Sequence, residues 1–145
     1  MLPGSDILLL DTSVVVDLAR NNRSGKAILR TYSLTNRTDR PLISIITIGE
    51  MLGLAKSLAW TADQTRVLHE LLSEFVTLEI TPEVVEAYAD LVALSRTRNR
   101  TIGQQNDMWI AATAKVTGAV LLTGDAGFQW LNPQFIRVEY IPRGA

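Results

Sequence analysis

The sequence predicts an α/β fold built on a mainly parallel central sheet. Short continuous apolar runs, such as Ile7-Leu8-Leu9-Leu10 and Ala119-Val120-Leu121-Leu122-Thr123, suit strands buried on both faces. Segments with helical periodicity separate these runs, as in Ala62 to Glu74, where Val67, Leu68, Leu71, Leu72 and Phe75 share one side. Strand and helix patterns alternate along the chain, the order that produces parallel βαβ units.

The first strand ends at Asp11-Thr12-Ser13, and Thr12 or Ser13 is placed to cap a helix from Val14 to Arg20. Asn21 to Gly25 reads as a turn, Lys26 to Leu34 as a helix and Thr35 to Arg40 as a polar loop. Pro41 to Ile45 is the second strand. It leads into a helix from Thr47 to Lys56, with Thr47 three residues before Glu50 in capping-box spacing. After the helix Ala62 to Glu74, a strand is expected over Val76 to Ile80. Thr81-Pro82-Glu83 then starts a helix to about Arg98, with a cap, an N-terminal proline and an acidic first turn. A helix from Gln104 or Gln105 to Thr117 closes on Gly118. The strand Ala119 to Thr123, a turn at Gly124 to Gly127, a short helix at Phe128 to Leu131 and a strand at Ile136 to Ile141 complete the chain.

The 145 residues, 47% of them apolar, fit one domain over 1–145, with no repeat or linker. No apolar run reaches the roughly 20 residues of a membrane span. Met1 to Asp6 lacks the pattern of a secretory signal. The chain has no cysteine, which removes disulfides and thiolate chemistry and fits a cytoplasmic protein. The one histidine, His69, lies in a helical stretch with no paired motif, and a surface or capping role is expected for it. Chemistry therefore falls to carboxylates, hydroxyls, Lys and Arg. The net charge is −1, yet the charges are segregated. Arg20, Arg23, Lys26, Arg30, Arg37 and Arg40 face only Asp39 within their segment, and Arg96, Arg98 and Arg100 form a second cluster. Such segments are either solvated helix faces or local surfaces for phosphates.

Four acids stand out by position. Asp11 follows the first strand, Glu50 begins the helix after the second, and Asp125 comes two residues after the strand ending at Thr123. Asp107 lies in the first turns of an apolar helix. In open α/β sheets the carboxyl ends of the strands form the ligand crevice. Carboxylates converging there repel one another unless a cation neutralises them, and Mg²⁺ or Mn²⁺ is the natural partner for oxygen donors. Three of them also have a plain structural use: Asp11 as a helix cap, Glu50 in a capping box, Asp107 at a helix N-terminus.

These segments resemble the motifs of PIN domains. Leu9-Leu10-Asp11-Thr12-Ser13 resembles the opening motif, Ile48-Gly49-Glu50-Met51 the second, Asn106 to Ala114 the third, and Leu122 to Phe128 the fourth. Their order, spacing and total length are similar to those of VapC-type toxins of toxin–antitoxin pairs. The resemblance implies a PIN-like three-layer α/β/α sandwich and an endoribonuclease dependent on Mg²⁺ or Mn²⁺. It gives Asp11, Glu50, Asp107 and Asp125 metal-binding or water-activating roles. Thr12, Ser13 and Thr123 become supporting hydrogen-bond donors. It further implies an RNA substrate, a homodimer and a cognate VapB-type antitoxin, with Leu52 to Trp60 and Ala62 to Phe75 as candidate contact segments.

Two other enzyme classes open on a strand ending in Asp. Haloacid-dehalogenase-type phosphatases need a second Asp where Ser13 stands, and response-regulator receivers need a preceding acidic pair and a later Lys. Neither pattern is present. The non-enzyme alternative is a catalytically degenerate PIN-like binding or regulatory module, which the presence of all four acids disfavours.

Overall fold

The structure, a computed structural model, describes residues 6–100 and 104–142. Residues 1–5, part of the stretch read for targeting signals, lie outside that range. Five strands form one sheet: β1 (Leu8–Leu10), β2 (Leu42–Ser44), β3 (Val76–Leu78), β4 (Val120–Thr123) and β5 (Arg137–Tyr140). Every pairing is parallel, and the order is β3-β2-β1-β4-β5. The chain leaves β1 toward β2 and β3, then returns to the other side of β1 for β4 and β5. The order therefore reverses between β1 and β4, the place where open parallel sheets bind their ligands.

Helices cover both faces. Side chains alternate across a strand, so Leu8 and Leu10 face α1 (Thr12–Arg20), α2 (Arg23–Thr31), α3 (Ile45–Ser57) and α4 (Ala62–Leu72). Leu9 faces the opposite layer of α5 (Pro82–Thr97), α6 (Gln105–Thr117) and the 3₁₀ turn Ala126–Leu131. The result is the three-layer α/β/α sandwich expected from the sequence. All three leucines are buried, each contributing roughly 1.5–3 kcal/mol of apolar burial. With helices on both sides, continuous hydrophobicity in β1 and β4 is what the fold requires.

Several boundaries differ from the sequence reading, for local reasons. Asp11 occupies the N-cap position of α1, so Thr12 and Ser13 are the first helical residues rather than caps. The turn after α1 is shorter than expected. Asn21 adopts a left-handed conformation (φ 50°) and Asn22 caps α2 at once, accepting from the Gly25 N–H at 2.8 Å. Gly25 belongs to that helix, where a Cβ would collide with the Asp17 carbonyl oxygen. Its role is close packing of α2 on α1. Ser44, not Thr47, caps α3, accepting from the Ile46 N–H at 3.0 Å. The β-branched pair Ile45-Ile46 thus opens a helix and does not extend the strand, and the Thr47–Glu50 capping box does not form. A capping box does form at α4, where Thr61 and Gln64 exchange backbone hydrogen bonds at 2.9 and 3.1 Å.

Candidate active site

The strand ends bring Asp11, Glu50, Asp107 and Asp125 to one open cavity of about 510 Å³. Among the described residues its lining is completed by Thr12, Ser13, Val16, Gln104, Gly124 and Ala126, with no Lys, Arg or His. Asp11 follows β1 at the point where the strand order reverses. Thr123 ends the neighbouring β4 and carries Asp125 two residues further. Glu50 reaches the cavity from α3, which starts as β2 ends, and Asp107 from the first turn of α6.

Asp11 is 3% exposed and held by hydroxyls. Its Oδ2 accepts from Thr123 Oγ1 at 2.7 Å and from Ser13 Oγ at 2.8 Å. Each hydroxyl is itself backed by a main-chain donor: the Gly124 N–H donates to Ser13 Oγ and the Asp125 N–H to Thr123 Oγ1, both at 3.0 Å. Those amides fix the direction of the hydroxyl protons toward Asp11. The other oxygen, Oδ1, is buried without a hydrogen-bond partner among the described residues. Burial raises the Asp11 carboxyl above its ordinary range. The Thr123 and Ser13 hydroxyls and the Thr12 backbone N–H oppose this, and the charge of Asp125 adds to it.

Glu50 is tied differently. Its Oε1 accepts from Thr12 Oγ1 at 2.7 Å, and Thr12 Oγ1 lies 2.9 Å from Thr47 Oγ1. Asp107 Oδ2 accepts from the Gln104 N–H at 3.1 Å, so the structural use foreseen for this acid is real and coexists with its place in the cavity. Its carboxyl is pushed up to about 6, first by burial and then by the charges of Asp11, Asp125 and Glu50, against the lowering effect of the Gln104 hydrogen bond. Asp125 Oδ1 caps the 3₁₀ turn through the Gly127 N–H at 2.8 Å. Sequence reasoning read Thr47 as a helix cap and missed its place behind Thr12. Only the contact between α1 and α3 reveals it.

The cavity concentrates negative charge with one buried carboxylate oxygen left bare, an arrangement suited to a hard cation. Among the described residues no three such side chains already converge on one ion position. Glu50 is drawn to Thr12 and Asp107 to Gln104 instead. The donor set nevertheless fits Mg²⁺ or Mn²⁺, which accept few carboxylates and keep several waters.

The basic segment divides into two uses. Arg37 donates to the Tyr32 and Asp6 carbonyls, and Arg40 to the Ser73, Glu74 and Phe75 carbonyls, so both tie the chain to itself. The side chains of Arg20, Arg23, Lys26 and Arg30 are exposed and make no hydrogen bond or ion pair among the described residues. In the second cluster, Arg98 lies over the Phe135 ring at 5.6 Å.

Comparison with known proteins agrees with this geometry. The chain is 36% identical over 85 residues to ribonuclease VapC4 of Mycobacterium tuberculosis. That stretch spans 57% of this chain and 65% of the relative, just under two thirds of its length. A chain of VapBC-1 from nontypeable Haemophilus influenzae is 26% identical and superposes with a TM-score of 0.76, covering 92% of this chain and 97% of that one. A chain of VapBC2 from Rickettsia felis, solved bound to a DNA fragment from their promoter, has a TM-score of 0.78 at 21% identity and shares the fold over 92% and 98% of the two chains. The family model for the PIN domain matches residues 8–131. From the parallel sheet to the acids at its switch point, the chain belongs to the PIN domain family.

Proposed function

We propose that the chain is an endoribonuclease dependent on Mg²⁺ or Mn²⁺, the toxin of a type II toxin–antitoxin pair acting in the cytoplasm. The observation that carries the reading is the cavity of four acids in which Asp11 Oδ1 is buried and bare. Asp11, Glu50 and Asp107 would hold the ion, with the exposed Asp125 beside them. A bound divalent cation supplies Lewis-acid polarisation of a phosphate oxygen and lowers the pKa of water. Ser13 and Thr123 keep Asp11 Oδ2 occupied, which leaves Oδ1 as the oxygen that would take the ion, and Thr12 holds Glu50. The free cations Arg20, Arg23, Lys26 and Arg30 hold flanking phosphates without reading bases. The ribonuclease name of the Mycobacterium tuberculosis relative supports the substrate class.

A VapB-type antitoxin and a second copy of the chain are the proposed protein partners. An apolar groove of about 610 Å³ between α1 and α4 supports the antitoxin contact. Leu58 and Val67, 53% and 48% exposed, lie in it beside Trp60, within the segments singled out from the sequence.

The test is cleavage of a labelled RNA by the purified chain, with Mn²⁺ and after chelation. Cleavage that needs the ion and is lost in Asp11→Asn supports the proposal. Cleavage that survives both chelation and Asp11→Asn sinks it.

A further inference from the structure

We infer that Thr47 is a positioning residue for Glu50, acting through the hydroxyl of Thr12; the inference rests on the metal-site reading above. Thr47 is fully buried, so it touches neither substrate nor ion. Its Oγ1 lies 2.9 Å from Thr12 Oγ1, which donates to Glu50 Oε1 at 2.7 Å. A threonine hydroxyl has one proton to give. Thr12 gives that proton to Glu50 Oε1, so the proton between the two hydroxyls belongs to Thr47. The chain of donation runs from Thr47 to Thr12 to Glu50.

Two features argue that this is more than a satisfied core hydroxyl. Valine would fill the same volume, and burying a hydroxyl is unfavourable unless it is bonded. Thr47 is not needed as a helix cap, because Ser44 fills that role. The arrangement also repeats the one around Asp11. Each hydroxyl that holds a cavity carboxylate is held by a donor behind it: the Gly124 N–H behind Ser13, the Asp125 N–H behind Thr123, and Thr47 behind Thr12. In the first two the backing donor is main chain, beyond the reach of substitution. In the third it is a side chain, so this support can be removed.

The experiment is Mn²⁺ titration of the full chain, followed by electron paramagnetic resonance, with thermal unfolding measured in parallel. Removing a partner behind a ligand typically weakens metal affinity about 10- to 100-fold. Thr47→Val is expected at the lower end, about 10-fold weaker, and Thr47→Ser within about twofold of the unsubstituted chain. Because Thr47 acts only through Thr12, adding Thr47→Val to Thr12→Val leaves the affinity of Thr12→Val unchanged. The inference is overturned if Thr47→Val lowers the melting temperature but binds Mn²⁺ normally. It is equally overturned if Thr47→Ser is as weak as Thr47→Val, or if the loss persists on the Thr12→Val background.

Absence of any Mn²⁺ uptake sensitive to Asp107→Asn in the unsubstituted chain marks failure of the metal reading instead. NMR of the metal-free, unsubstituted chain then decides the proton chain separately, and it also serves if Thr47→Val does not fold. A Thr47 hydroxyl proton protected from exchange and close to Thr12 is expected. One in free exchange with water overturns the inference.

Discussion

Two depressions in the surface of the described residues are similar in size and opposite in construction. The apolar groove between α1 and α4 is the larger, about 610 Å³ against about 510 Å³ for the acid-lined cavity. Of its polar residues, Asp63 pairs with Arg66 at 2.9 Å, Gln64 closes the capping box with Thr61, and Arg20 and Asn21 stand at the end of α1. What remains is shape and hydrocarbon, from Leu18, Leu58, Trp60, Val67 and Leu71. In the cavity, hydroxyls and amides in series fix carboxylate oxygens and leave one of them bare. The groove is built to receive an apolar side chain, the cavity to bind charge. Volume does not separate the two; the placement of donors does.

The largest effect expected from breaking this contrast is at the cavity. Asp11→Asn and Asp107→Asn are each expected to lower RNA cleavage by about 100-fold or more, in line with the loss of a ligand from an electrostatic catalytic site, with far-UV circular dichroism unchanged. On the groove side, Leu58→Asp with Val67→Asp places two charges in an apolar contact. The double variant is expected to weaken antitoxin binding by about 10-fold or more, measured by calorimetry, and to keep cleaving RNA at antitoxin concentrations that silence the parent chain.

A smaller effect is expected away from both. Replacing Arg23, Lys26 and Arg30 together by Ala is expected to reduce the slope of log affinity for single-stranded RNA against log salt by about 2, at roughly 0.7 per phosphate contact. An unchanged slope removes α2 from the interface. The smallest concerns stability without metal. The Asp107 carboxyl, raised to about 6 from 3.8, favours the folded state most below the unfolded value. That contribution is lost as pH rises from about 4 through 6. Asp107→Asn is therefore expected to melt a few degrees higher than the parent at pH 7 to 8 and to match it near pH 3, by calorimetry without metal. The reverse order would show that its helix-capping bond to Gln104 outweighs its burial and its neighbours' charge.

Much of this was legible in the sequence, because strand ends are legible. Leu8-Leu9-Leu10 and Val120-Leu121-Leu122 can be buried on both sides only in a covered parallel sheet, so the acids beyond them fall on one edge. What was not legible depends on partners distant in sequence. Thr47 carries a local capping signal with Glu50, and only α1 packing beside α3 turns its hydroxyl toward Thr12. Arg37 and Arg40 read as free charge until they meet the carbonyls of residue 6 and residues 73 to 75. Gly25 reads as a turn glycine, yet its reason is the Asp17 carbonyl across the helix pair.

The hydrogen bond between Thr123 and Asp11 joins residues 112 positions apart. It has a bearing on how the protein is made. Asp11 leaves the ribosome 112 residues ahead of Thr123, and the Ile141 N–H pairs with the Thr123 carbonyl later still. At about 5–20 residues per second, Asp11 waits several seconds to tens of seconds for its clasp. A truncated or stalled product carries the first carboxylate without the groups that orient it. The first carboxylate is thus oriented only after residues 123–125 have been made, a delay set by the order of the strands alone.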